Sequence, residues 1–504
     1  MAEATGTKEA LTYGNWRRPQ SPGVAGLGLL GTGVLLVGML AVVVLLAVSL
    51  LAAVVGVAVV ATALAPLVYR DRHGRNGVQK LGARAAWSVG RPLGWRTYRS
   101  GPLGRPPTRR FGLPGLAAQM TATDAVDAWG RPFVLLHHPA TAHVSTVLET
   151  APDGNALVDQ ETVDQWVAQW GAWLTALGQE TGLVGAQVTV ETAPDPGTRL
   201  GREVGAHLGP GAPELAKAVM REVVESYPAG SASISCRIAL TWSRYGAFGG
   251  PKRSLHEMAL EIGNRLPGLT APLAAAGAGA AEPMTSAALA AAVRLAYDPS
   301  AQALVEELGP AGAGIDWGDA GPVAQDEGPD HLYHDGATSV TWAMSQAPRG
   351  VVYSSVLAKL LAPHPDIARK RVSLLYRPHD SARAAELVER DRRDALFNAS
   401  GGRRRVVSAR SSHSVQAAEQ AAEEEARGAG LVRFGMLVTA TVMGQADEAR
   451  LRQLGAVVDS LATSSRVVLR RAWGSQSAGF LAALPLGLVL PAHLRVPAGL
   501  REAM

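Results

Sequence analysis

Within six consecutive residues, Asp330-His331-Leu332-Tyr333-His334-Asp335 offers two imidazoles and two carboxylates, donor types that can hold zinc or a related metal. The run sits in a Gly- and Pro-rich stretch with no further ligand in view, so it is read as polar loop residues and no metal is expected. His137, His138 and His143 form a second imidazole group, read as polar turn residues beside a strand. His256-Glu257 lacks the histidine four residues on that a metalloprotease helix requires, and no Gly-x-Ser-x-Gly nucleophile elbow surrounds Ser475 or Ser477. No Gly-Lys dipeptide occurs anywhere, which excludes a Walker A loop and ATP hydrolysis by that route. These residues yield no catalytic, cofactor-binding or metal assignment. The expectation is a non-catalytic protein without cofactors, with a metal-dependent membrane enzyme resting on His331 and His334 as the alternative.

Gly26-Leu27-Gly28-Leu29-Leu30-Gly31 spells a dinucleotide fingerprint, but that motif works only between a strand and a helix of a βαβ unit. Here it enters a stretch from Pro19 to Tyr69 that holds no Asp, Glu, Lys, Arg or His. The apolar part, 24–68, would make a single helix of roughly 68 Å, whereas a bilayer core is about 30 Å thick. Two helices at about 24–45 and 48–68, with a turn near Ala47 to Leu50, fit one membrane. The glycines then serve close helix packing, as do Ala52 and Gly56 in the second span. A signal peptide has an apolar core of only ~7–15 residues.

Arg17 and Arg18 precede the first span, and Arg70, Arg72, Arg75 and Lys80 follow the second, so the positive-inside rule puts both termini in the cytoplasm. Tyr13, Trp16 and Tyr69 are expected as interfacial anchors beside those basic residues. The chain's net charge of +5 is unevenly spread: residues 69–111 hold ten arginines and Lys80 against Asp71 alone. A basic run next to a span is attracted to anionic lipid headgroups at ~1 kcal/mol per cation near the surface. Direct nucleic-acid binding is not expected. The lone Cys236 allows no internal disulfide.

The remaining chain reads as an α+β cytoplasmic region behind this two-helix transmembrane hairpin. Strands are expected at 133–136, 144–149, 186–191 and 232–242, and helices at 158–181, 213–227, 253–265 and 286–296. In the 158–181 helix, Trp166, Trp170 and Trp173 recur at helical spacing, as a core face does. A second set comprises strands at 338–345, 371–377, 431–443 and 466–473 and helices at 354–361, 381–398, up to Arg427, and 445–462. The β-β-α-β-α-β order suggests a split βαβ module with helices on one face of a mainly antiparallel sheet, and the second set echoes it. The expected organisation is 1–23 cytoplasmic segment, 24–68 hairpin, 69–111 basic juxtamembrane segment, 112–308 first module, 309–335 acidic Gly/Pro-rich connector and 336–504 second module. The Ala/Gly-rich 271–281 piece is expected as a linker and the Arg403-containing stretch 400–410 as a basic loop.

Tyr13-Gly14-Asn15-Trp16-Arg17-Arg18-Pro19, leading into a paired hydrophobic segment and a cytoplasmic α+β region, resembles actinobacterial integral membrane proteins related to EccE. EccE is a membrane component of type VII (ESX) secretion systems. The resemblance implies a membrane-anchored scaffold that contacts other secretion-system membrane subunits and a separate hexameric ATPase. Gln476-Ser477-Ala478-Gly479-Phe480-Leu481-Ala482-Ala483-Leu484-Pro485 is similar to the segment closing the α+β amino-terminal domain of type IV conjugation ATPases, whose partner subunit is a membrane hairpin. That likeness implies the same scaffold role with DNA as cargo.

Overall fold

The computed structural model describes residues 13, 16, 28–69, 71, 73, 75–104, 110–152, 154, 157–195, 198–209, 211–226, 232–246, 250–307, 314–348, 352–400, 409–426 and 428–494. Two apolar helices, α1 (Gly28–Val48) and α2 (Leu50–Val68), form an amino-terminal hairpin. The chain reverses at Ser49, whose extended backbone leaves α1 while its hydroxyl accepts the Ala52 N–H at 3.0 Å and so starts α2. The break thus falls where the only polar side chain of the region can cap a helix. Small residues set the helix contact: a Cβ on Gly38 would stand 2.8 Å from Val60, and one on Gly56 2.8 Å from Leu45. Both helices are long and apolar enough to cross a membrane, and their side chains are almost all uncovered.

A short helix, α3 (Gly77–Gly90), follows and leads into β1 (Thr97–Arg99), β2 (Thr121–Val126), β3 (Pro132–His138) and β4 (His143–Thr150). Next come α4 (Gln160–Gln179), β5 (Leu183–Pro194), α5 (Thr198–His207), α6 (Glu214–Ser226), β6 (Ala232–Ser243), α7 (Leu255–Leu273), β7 (Ala281–Pro283), α8 (Ser286–Tyr297) and α9 (Gln302–Glu307). The chain continues through β8 (Ala324–Glu327), β9 (Leu332–His334), β10 (Ala337–Gln346), α10 (Ala358–Leu361), β11 (Arg369–Pro378), α11 (Ser381–Ser400) and α12 (Ala409–Ala426). It closes with β12 (Val432–Met443), α13 (Glu448–Ser464), β13 (Val468–Arg471) and α14 (Gln476–Ala483).

All strands join one 13-stranded sheet in the order β1-β8-β9-β10-β12-β11-β5-β6-β4-β3-β2, with β13 beside β10 and β7 beside β4. Every pairing is antiparallel. The order β2-β3-β4-β6-β5 is matched strand for strand by β8-β9-β10-β12-β11, and the two sets meet where β5 pairs with β11. In each set a last short strand, β7 or β13, returns to the strand that began the helical part.

Helices cover both faces of the sheet, not one. Along β3 the apolar run alternates: Phe133 and Leu135 pack with α4 and α7, whereas Val134 and Leu136 pack with α8 and α14. A strand buried on both sides must be apolar at successive positions, and Phe133-Val134-Leu135-Leu136 is. On the α4 side, Trp173 is buried and donates from Nε1 to the Leu269 carbonyl at 3.0 Å, with Trp170 stacked on it, so the tryptophans form core.

Two segments expected as connectors are built into this framework. The 271–281 piece finishes α7, makes a π turn at Ala274–Ala278 and enters β7. Its glycines permit close approach: Gly277 lies against Trp166, and Gly279 at φ +67° faces the Ala151 carbonyl, 2.1 Å from where a Cβ would be. Within the acidic 309–335 segment, β8 pairs with β1 and β9 with β10. Its carboxylates meet the basic segment: Asp326 pairs with Arg99 at 2.9 Å and Asp316 with Arg110 at 2.8 Å. Opposite charge therefore folds two segments together that composition alone separates.

Candidate functional site

The alternation of side chains along each strand gathers a set of polar groups on one buried face of the sheet. It includes Ser145, Gln187, Thr189, Glu191, Thr241, Ser339, Thr341, Arg369, Arg371, Ser373, Thr439 and Thr441. The carboxy-terminal strap, α14 and the chain to His493, lies over this face. Its backbone carbonyls take the donors below: Gln187 Nε2 donates to Leu484 O at 2.8 Å, Ser373 to Ala483 O at 2.7 Å, Thr241 to Gly487 O at 2.8 Å and Ser145 to Leu486 O at 2.9 Å. Gln476 of the strap uses its side chain on the sheet's backbone, accepting from the Thr341 N–H at 2.8 Å and donating from Nε2 to the Thr341 carbonyl at 3.3 Å. Phe480 fills the space between Tyr297, His334 and Arg371.

Where the two halves of the sheet meet, Glu191 stands opposite Arg371 in register. Its carboxylate accepts from Arg369 at 2.8 Å and Arg371 at 3.1 Å, with Arg237 at 3.7 Å. Desolvation works to raise the Glu191 carboxyl, but the three guanidiniums overcome it and hold the group down at about 2. Lys370, on the opposite side of β11, donates to the Ala362 carbonyl, and burial lowers its ammonium to about 8.

The sequence's histidines fall into two similar arrangements. His138 at the end of β3 bonds Ser145 of β4 at 2.7 Å, and His334 at the end of β9 bonds Ser339 of β10 at 2.7 Å. Burial lowers both imidazoles, His138 to about 3 and His334 to about 4, so each is neutral at neutral pH. A Ser–His contact can activate a nucleophile, but Ser145 and Ser339 are fully buried beneath the strap and α8. The other ring nitrogen of His334 meets the Tyr297 carbonyl at 2.6 Å, leaving none for a metal. His331 turns instead to Asp330 at 2.9 Å, and Asp330 to Arg471 at 2.6 Å. Asp335, at φ +38°, and Gly336 make the tight β9–β10 turn. His137 accepts from Arg244 at 3.0 Å, and His143, lowered to about 4 by burial, stands opposite His138 in the β3–β4 register. Among the described residues no group of three or more His, Cys, Asp or Glu side chains is arranged to hold a metal.

The expected membrane-interface residues divide. Tyr69 ends α2 and is exposed. Lys80 pairs with Asp71 at 3.1 Å; against opposing desolvation, that bond and the backbone N–H groups of Arg75 and His73 hold the Asp71 carboxyl at about 2. Tyr13 and Trp16 are engaged by the α+β body: Tyr13 pairs with Val352 and donates to Asp164 at 3.3 Å, and Trp16 packs on Phe434 at 5.1 Å. The Asp164 carboxylate of α4 and the Phe434 ring of β12 thus tie these two aromatics to the body. Arg17, Arg18, Arg70 and Arg72 lie outside the described residues, as does the arginine cluster Arg403 to Arg405. The sequence reading missed Glu191 and its three arginines. Their alternating spacing, Arg369 and Arg371 on one strand face, was the available signal.

Residues 20–79 match a family model described as Domain of unknown function (DUF8461). The match covers the hairpin and the turn into α3, and stops before the sheet. No curated protein matches the chain.

Proposed function

We propose that this protein is a non-catalytic, membrane-anchored adaptor of a bacterial secretion or translocation machine. The observation that carries the proposal is the pairing of an uncovered apolar hairpin with a large body in which Ser145 and Gln187 bond to the strap and Glu191 to arginines beneath it. In this reading the hairpin spans the plasma membrane with both termini in the cytoplasm. The sheet is two modules of split βαβ type, each with an antiparallel strand between the two joined by its first helix. The EccE-like likeness makes type VII secretion the first assignment, with other membrane subunits and a separate hexameric ATPase as partners.

A type IV-like conjugative apparatus is the second reading. It is favoured by the strap: Gln476 to Pro485, the segment similar to the closing piece of a conjugation ATPase's amino-terminal domain, is buried across both halves of the sheet. In either machine ATP hydrolysis belongs to another subunit.

Purification of the tagged full-length chain from its native membrane in a mild detergent tests the role. Co-purification of an ATPase with further membrane proteins is the expected result, and the ATPase's class distinguishes protein from DNA cargo. Recovery of the protein alone in several detergents overturns the adaptor reading.

A further inference from the structure

Helix α3 has two unlike faces. Toward the body, Trp87 packs beside Gly474 and under the Arg96 guanidinium, 3.4 Å above the ring, while Arg96 also donates to the Trp87 carbonyl. Away from it, Val78, Leu81, Ala85 and Val89 follow at three- and four-residue spacing along one exposed stripe. Leu81 is 61 % exposed; just beyond the helix, Leu93 and Trp95 are 56 % and 69 % exposed. The helix is nonetheless well fixed. Asn76 and Gln79 close a capping box at its start, Gly77 lies against Pro66 of α2's last turn, and the Trp95 N–H bonds the Gly90 carbonyl at 3.1 Å at its end. An exposed apolar stripe on an anchored helix needs an apolar neighbour.

We propose that this stripe lies in the headgroup and upper acyl region of the bilayer, making α3 an interfacial helix that seats the sheet against the membrane. The occupant follows from two observations. Contact between Gly77 and Pro66 starts α3 at the end of a span-length helix, so the stripe continues the surface of the hairpin. Exposed Arg84 and Arg91 flank it, the arrangement of an amphipathic helix on an anionic surface. Among the described residues, the more distal Arg99 and Arg110 instead pair with Asp326 and Asp316. This inference rests on the hairpin spanning the membrane.

The test uses the full chain with Cys236→Ser, carrying a single new cysteine labelled with the fluorophore NBD, in nanodiscs of phosphatidylcholine and phosphatidylglycerol with or without brominated acyl chains. Label sites are Leu81→Cys on the stripe, Val43→Cys on α1 and Leu215→Cys on α6, all exposed. Brominated lipid is expected to quench emission at 81 and 43 by about twofold or more, since an interfacial helix sits ~5–10 Å into the boundary, and to leave 215 unchanged. Quenching at 43 without quenching at 81 overturns the interfacial helix and leaves the spanning hairpin intact. A label at 81 that is blue-shifted yet unquenched identifies a protein partner on the stripe and also overturns it. No quenching at 43 overturns the membrane reading itself, and quenching at 215 as well shows general adsorption and removes the case for α3.

Discussion

At the junction between the two halves of the sheet, Glu191 is, among the described residues, the carboxylate that pairs with both Arg369 and Arg371 in a buried site. Removing one partner of such a group leaves uncompensated buried charge, so Glu191→Gln should destabilise the protein by roughly 3–5 kcal/mol, read by chemical unfolding in detergent. Its carboxyl is depressed to about 2 from an ordinary 4.5, so its contribution is complete above pH 4.5 and is lost as pH falls toward 2. The buried imidazoles act earlier. His334 is lowered from 6.5 to about 4, so the unfolded chain binds its proton first and stability falls as pH drops from 6.5 through 4. That interval corresponds to roughly 3 kcal/mol. His334→Gln should reduce the slope of the stability profile between these pH values by one proton's share, with His138 and His143, also lowered by burial, keeping the rest; an unchanged slope would show that His334 does not contribute.

At the scale of elements, low complexity in 271–281 conceals a packing requirement. A flexible linker would accept alanine at any of its glycines. Gly279 instead has a positive φ and no room for a side chain before the Ala151 carbonyl, so Gly279→Ala should lower stability by on the order of 2 kcal/mol or more and shift thermal unfolding downward. Unchanged unfolding would restore the linker description. The hairpin turn shows the opposite case. Ser49 was legible from the chain because it is the only polar side chain between Ala47 and Leu50, where length demands a break, and its hydroxyl can cap the new helix.

For the whole molecule, arginines on both flanks of the two proposed spans give a directional expectation. A carboxy-terminal fusion to green fluorescent protein should fluoresce and one to alkaline phosphatase should remain inactive; the reverse pattern would invert the orientation proposed above. The strap makes the same body cooperative. Because its carbonyls satisfy side chains from β4, β5, β6 and β11 at once, neither half of the sheet closes its polar face alone. Strand and helix identities across this body were largely legible: the periods at 160–179, 369–378 and 432–443 lie close to the expected ranges, since local alternation and helical spacing reflect burial directly.

The sequence by itself determined the hairpin, the longer strands and helices of the body and the absence of a Walker loop, because these depend on local composition, spacing and literal motifs; the short strands β1, β2, β7, β8 and β9 carry too little pattern to be read this way. Tertiary structure alone decided that both halves share one continuous sheet, that the acidic and basic segments meet, and that His138, His334 and Glu191 are buried with internal partners. The shared sheet, the meeting of the charged segments and the Glu191 site depend on pairings between residues 100 or more positions apart, as Glu191 and Arg371 are, which no local pattern encodes; His138 and His334 bond serines only a few residues away, and it is distant segments, the strap and α8, that bury them.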